Sequence, residues 1–442
     1  MLESDAQRWA GEPDVRAAVA FAECLVRRGY RRRPPRPLLA ETGGTTLFTS
    51  VASPDWRRSL TGYPRPEPGG AAVLQWILNT SRLMTPPSAS PPSAGRAVGA
   101  VWTGLRPYDA ALGDSWEALR QAGIAPAELR FLLSSQPQDS SRVVKALLDL
   151  GVDHGRITLG NRLPETPLRM DPELGPCLTL RRTVRSSLFA HCDARCTCGC
   201  HVSVAHIQFV ERRRISGRLS AVAQPLFEMI VFEHTLTYVA RPPSSEPDGT
   251  GPAVPLLLAP LSTAIADMLA GTAAPPGPNP VLLADVSSSA SLLLGEGVTP
   301  GPRGGPYVLR RLIRMIGTEL ALHGLPPALL TSVLATAETA YRSPHGFPRL
   351  PARSWEHVAD ELKAFSRVLS KGRSHVRRPG ALSDQPYEMA RQLIRLRSEK
   401  GVPLGLSLRW CREEGMELAH VHLALADLSR ADSPVPRPGA FG

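Results

Sequence analysis

GEGVTPGPRGGPYVLRRLIRMIGTELALHG, residues 295–324, runs from a Pro/Gly loop into a basic amphipathic helix. Pro306 falls in the first turn, where a missing N–H costs no hydrogen bond, and Gly324 falls where the helix stops. Val308, Leu309, Leu312, Ile313, Ile316 and Leu320 recur at spacings of three and four, which makes one apolar face. Arg310, Arg311 and Arg314 fall largely off that stripe, and Arg303 precedes it in the loop. A phosphate backbone is one partner for such a face. A solvated surface that only keeps the domain soluble is the other reading.

Around this segment lies a chain of 442 residues, long enough for two or three domains with their own cores. The 44 prolines are about twice the usual share and cluster in short runs, a pattern of linkers. Net charge is +11 at pH 7 and arginine greatly outnumbers lysine, a balance compatible with an RNA or nucleotide partner. The N-terminus MLESDAQRWAGEPD is polar and acidic, unlike a signal peptide. No apolar run reaches the roughly 18 residues that span a bilayer, so no membrane partner is expected. Seven cysteines, four of them between Cys192 and Cys200, suit metal binding or reduced thiols in a cytoplasm better than a disulfide framework.

That cysteine segment is the densest chemical constellation. It reads His191-Cys192-Asp-Ala-Arg-Cys196-Thr-Cys198-Gly-Cys200-His201, with His206 beyond it. Thiolates and imidazoles are the ligands that zinc prefers, and four of them close a tetrahedral site. One short loop does not easily turn every side chain to one ion, so Cys192, Cys196, Cys200 and His206 are the expected set. A solvent-facing loop of thiols without metal is the alternative.

Read from Leu283, LADVSSSASLLLGEGVTPGPRGGPYVLRRLIR resembles, without a gap, the start of the tRNA-recognition region of alanyl-tRNA synthetases. Further resemblance to that family runs in order over about residues 14–430. It includes a helix from Asp14 to Arg28, the Leu47-Phe48-Thr49 strand, Asp114 to Leu119, Gly155 to Leu159, and the loop Met170 to Cys177. The resemblance implies an α+β fold. An antiparallel class II synthetase-like sheet domain would occupy 1–272, an all-helical domain 279–430, and a flexible tail 431–442.

For function the resemblance implies an ATP- and Mg-dependent enzyme that activates alanine. Arg96 stands near the family arginine that clamps the α-phosphate of ATP and the amino-acid carboxylate, and is otherwise a surface arginine. Arg106 and Glu228 are the other candidates for a nucleotide or amino-acid cleft. Met229 stands where the family has an asparagine that helps to hold alanine, and a thioether cannot make those hydrogen bonds. Ala264 stands where the family arginine grips the γ-phosphate, and Pro302 replaces an asparagine that helps to read the acceptor stem. The expectation is therefore a paralogue, truncated relative to the full enzyme, that binds tRNA or a partner through Arg303, Arg310, Arg311 and Arg314 without ordinary aminoacylation. A repurposed enzyme acting on an alanine-like amino acid or an aminoacyl-adenylate-like ligand is the alternative.

Overall fold

A computed structural model describes residues 16–39, 68–79, 93–135, 137–160, 174–183, 192–196, 200–215, 218–233, 235–236, 256–272 and 277–431. The chain divides into two compact units, Met1–Ser262 and Thr263–Gly442. The expected strand at Leu47–Thr49, the Asp14 helix cap and the tail beyond Ala431 lie outside the described residues.

The first unit is built on an eight-stranded sheet. Its strands are β1 (Tyr30–Arg32), β2 (Gly69–Leu78), β3 (Ala94–Thr103), β4 (Arg130–Ser134), β5 (Ile157–Leu159), β6 (Cys177–Thr183), β7 (His201–Ile215) and β8 (Arg218–Phe232). They lie in the order β1-β2-β3-β8-β7-β6-β4-β5. The six central strands pair antiparallel, as expected, but both edges differ, with β1 on β2 and β5 on β4 parallel. Between β4 and β5 the chain passes through a helix, the crossover that a parallel pair requires.

Side chains alternate across a strand, so each strand gives one set to each face. One face carries Ala72, Val98, Ala100, Phe131, Leu133, Leu178, Ile207, Phe209, Phe227, Met229 and Val231. Three helices share this core: α1 (Arg16–Arg27), α2 (Tyr108–Gln121) and α3 (Pro137–Asp149). Phe21, Cys24 and Leu25 of α1 recur at helical spacing and are buried there. On the other face Ala71, Val101, Val210 and Leu226 form one apolar cluster and Ile77, Cys177, Ile230 and Phe232 another.

The unit boundary falls inside α4 (Ala259–Leu269). After it the second unit is helical: α5 (Pro280–Gly295), α6 (Gly304–Leu322), α7 (Leu330–Ala337), α8 (Ala352–Val376), α9 (Pro386–Lys400), α10 (Leu404–Glu413) and α11 (Ala419–Ala431). The Asn279 side chain caps α5, accepting from the backbone of Val281 at 3.0 Å and Leu282 at 3.2 Å. Ser287, Ser288, Ser289 and Ser291 are fully buried, and their hydroxyls turn back on carbonyls of their own helix. All six apolar residues expected to line α6 are buried. Gly324 ends it at φ +79°, and Leu325 N–H donates to Leu320 at 3.0 Å. Among the described residues, no helix is long and apolar enough to cross a membrane.

Candidate functional site

Arg96, Arg106 and Glu228 do not meet in one cleft. Arg96 sits on β3 in the same alternation as Val98 and Ala100, on the face that packs the helices. It is buried, not on the surface, and its Nη2 donates to Glu233 at 2.6 Å while Nε makes a second, shorter contact with the same carboxylate. Its guanidinium lies 5.5 Å from the Trp76 ring, across from it on β2. Arg106 stacks on Trp102 at 3.8 Å and pairs with Asp114. Asp114 also accepts from Arg28 Nε at 2.5 Å and from the Tyr30 hydroxyl at 3.1 Å. Burial and the adjacent Asp114 carboxylate push the Tyr30 phenol far above its ordinary range. This cluster fastens α1 and α2 to the sheet edge. Met229 points into the helix-side core, its neighbour Glu228 to the opposite face.

That opposite face carries a polar row. Glu228 is paired across strands with Val101 on one side and Gln208 on the other, and Gln208 in turn with Cys177. Cys177 Sγ donates to Gln208 Oε1 at 2.9 Å, and Gln208 Nε2 donates to the carbonyls of Phe209 at 2.7 Å and Gly175 at 3.1 Å. A parallel row places His206 beside Thr179, with Nδ1 and Oγ1 3.3 Å apart. Gln75, on the same side of β2, accepts from the backbone of Arg36 at 3.3 Å. All these side chains are buried. Gly175 is obligatory here. Its φ is +152°, and a Cβ would lie 2.2 Å from the Phe209 carbonyl oxygen.

The cysteine loop does assemble, with one correction. The sulfurs of Cys192, Cys196 and Cys200 all lie within 4.8 Å of one another, and the Cys192–Cys196 separation is 3.2 Å. His206 does not join them. It lies six residues beyond Cys200 along the extended strand β7, about 20 Å away, and its ring packs edge-on to Phe232. His191 and Cys198 lie outside the described residues. Three clustered thiols are a donor set that fits zinc or another soft cation. Beneath them Arg181, buried at 6% exposure, donates to the carbonyls of Ala194 at 2.8 Å, Cys196 at 2.7 Å and His201 at 2.9 Å. This guanidinium holds the loop's backbone against β6. Burial first, and then the Arg181 charge, lower the neighbouring His201 imidazole to about 4.

In the helical unit Arg303 is exposed at the start of α6, and Arg310 and Arg311 are half-buried. Arg310 lies 5.5 Å from the Tyr307 ring. Arg314 is turned into the bundle, with Nε donating to Glu361 at 2.6 Å and the guanidinium 5.6 Å from Phe365. Sequence reasoning missed Arg181, Asp114 and Gln208. Arg181 had only a weak signal, the first of two adjacent arginines at the end of the short strand CLTLRRT. Gln208 had one too, a polar residue in the alternating run HVSVAHIQFV.

No family model matches the chain. Alanine–tRNA ligase of Mycobacterium tuberculosis is 29% identical over 147 residues, which is 32% of this chain and 16% of that one. The enzyme of Mycolicibacterium vanbaalenii is 31% identical over 143 residues, covering 31% and 16%. That of Mycobacterium sp. strain KMS is 36% identical over 94 residues, covering 21% and 10%. The matched stretch thus spans about a sixth of the length of the first two relatives. Among solved structures, apo histidyl-tRNA synthetase of S. aureus aligns over 53% of this chain and 66% of its own at 10% identity, with a TM-score of 0.34. A threonyl-tRNA synthetase of Aeropyrum pernix aligns over 81% and 88% at 12% identity, with a TM-score of 0.30. By sequence, the chain is a divergent, partial relative of the alanine–tRNA ligases.

Proposed function

We propose that this chain binds tRNA, or an RNA of like shape, through its helical unit and does not carry out ordinary ATP-dependent aminoacylation. The observation that carries the reading is α6. Its apolar stripe is fully buried, and Arg303, Arg310 and Arg311 lie outside that stripe in a segment similar to alanyl-tRNA synthetases. Cations held on a rigid helix suit a phosphate backbone, whose neutralisation releases counterions. Arg314 serves the bundle instead, through Glu361. The case against adenylation rests on Ala264 in α4 at the position of the family's γ-phosphate arginine, and on Arg96 being paired with Glu233. Loss of one such contact costs about 2.7–4 kcal/mol of transition-state stabilisation.

Zinc held by Cys192, Cys196 and Cys200 would act structurally, tying the loop ahead of β7 to the Arg181 anchor. The six described cysteines form no disulfide, which suits a reducing cytoplasm. The polar row of Gln208, Glu228 and Cys177 favours a second reading, a site on the sheet for an alanine-like amino acid or its adenylate. Filter binding of tRNA at two salt concentrations tests the first reading. Affinity should fall steeply with salt, and Arg310→Gln/Arg311→Gln should flatten the log–log slope by about 1 to 2. Absent or salt-insensitive binding would defeat it.

A further inference from the structure

At the far end of α6 the helical unit holds a second feature. A groove of about 620 Å³ opens between the C-terminal turn of α6, one face of α8 and the inner face of α10. Leu369, Leu406 and Trp410 are among its apolar lining. Its polar wall is unusual. Ser366, Ser370 and Ser374 recur every four residues along α8, so their hydroxyls stand in a row about 6 Å apart. Thr318, Thr336 and Ser407 in neighbouring helices turn their hydroxyls onto carbonyls of their own backbone. The three serines of α8 are exposed and make no hydrogen bond among the described residues.

Three arginines face the same space. Glu413 bridges two of them, Arg373 Nη2 at 2.9 Å and Arg409 Nε at 2.9 Å. Arg409 Nη1 also donates to Ala321 at 2.9 Å and Leu322 at 2.5 Å, which anchors it on the end of α6. Arg377 is held by Glu414 at 2.9 Å. The arginine contacts, Arg409 first, keep Glu413 ionised below its ordinary range. With three guanidinium groups against two carboxylates, the groove keeps a net positive charge. Arg373 and Arg409 keep further N–H groups beyond those engaged by Glu413 and the α6 carbonyls, and their side chains are 46% and 35% exposed.

We propose that this groove is a phosphate-binding site, in which Arg373 and Arg409 grip the phosphate oxygens and Ser370 and Ser374 donate to them. A bridged guanidinium pair is already oriented, so little side-chain entropy is lost when an oxyanion arrives. Hydroxyls one helical turn apart match successive phosphates of a nucleic-acid strand as well as the oxygens of a lone phosphate. The site is distinct from the α6 arginines, since Ala321 lies about 15 Å along the helix from Arg311. It does not depend on the RNA reading.

The test titrates the full chain, by calorimetry, with inorganic phosphate and separately with a short RNA hairpin. Two variants accompany it, Ser370→Ala/Ser374→Ala and Arg373→Gln, with thermal melting followed by circular dichroism to verify that both fold. Alanine favours the helix, so the double variant keeps its scaffold. Affinity should fall about tenfold or more in both variants, in the phosphate arm for a free phosphate ligand or in the RNA arm for a strand. A wild-type chain that binds phosphate but no RNA defeats the RNA reading and leaves this site standing. Variants that match the wild type in both arms, or a wild type that binds neither ligand, overturn the proposal.

Discussion

Arg96 looks on paper like a nucleotide clamp, and in the fold it is one half of a buried ion pair. Its side chain is 2% exposed and that of Glu233 6%. Breaking such a pair from one side leaves a charge without compensation, at a cost of about 3–5 kcal/mol. Arg96→Met should therefore lower the urea midpoint sharply, and Arg96→Met/Glu233→Leu should recover most of the loss. Equal midpoints for the single and the double variant would refute this account. His206 offers a second check at this scale. Because it is far from the thiols and faces Thr179, His206→Gln should leave bound zinc unchanged, while Cys196→Ser should abolish it, both read by metal analysis of purified protein. Loss of zinc in the histidine variant would restore the four-ligand set expected from the sequence. The separation of Glu228 from Met229 needed no coordinates, since neighbours on a strand face opposite ways. The partner of Arg96 did need them.

Among the elements, α6 was the most legible. Its stripe follows the helical period, and Gly324 supplies the left-handed residue that its end requires. Leu312→Ala, at a fully buried position, should destabilise the helical unit by about 2–5 kcal/mol. Arg314→Gln should cost less, about 1–2 kcal/mol, since the glutamine amide can still donate to the largely buried Glu361 carboxylate. Denaturant melts of the two variants compare these directly, and equal losses would contradict the assignment of the stripe to the core. The cysteine loop behaves otherwise. Cys192 and Cys196 are half-buried, whereas burial pushes the Cys411 thiol up to about 11. In chelator-treated, folded protein the first two should react with iodoacetamide well before Cys411, and added zinc should protect them. Their short spacing was visible from the start. Arg181, which anchors the loop through carbonyls up to twenty residues away, was not.

For the molecule as a whole, the sharpest expectation is negative. Pyrophosphate exchange with alanine, ATP and magnesium should stay at background, and clear exchange would show that another cation does the work expected of the position now held by Ala264. The α+β character was already implied by the family resemblance. The parallel edges were not, because a three-residue strand such as β1 or β5 carries too little pattern to declare its partner.

By itself the sequence determined what depends on near neighbours: the helix of residues 304–322, the clustering of three thiols, and a likeness to alanine–tRNA ligases over about a third of the chain. Only the tertiary structure decided which charges are already taken and which stand ready. It joined Arg96 to a carboxylate 137 residues away, Arg373 to one 40 residues away, and Arg409 to carbonyls 87 and 88 residues away. The physical reason is that periodicity and spacing are local properties of a chain. An ion pair is a property of whatever the packed core brings within a few ångströms.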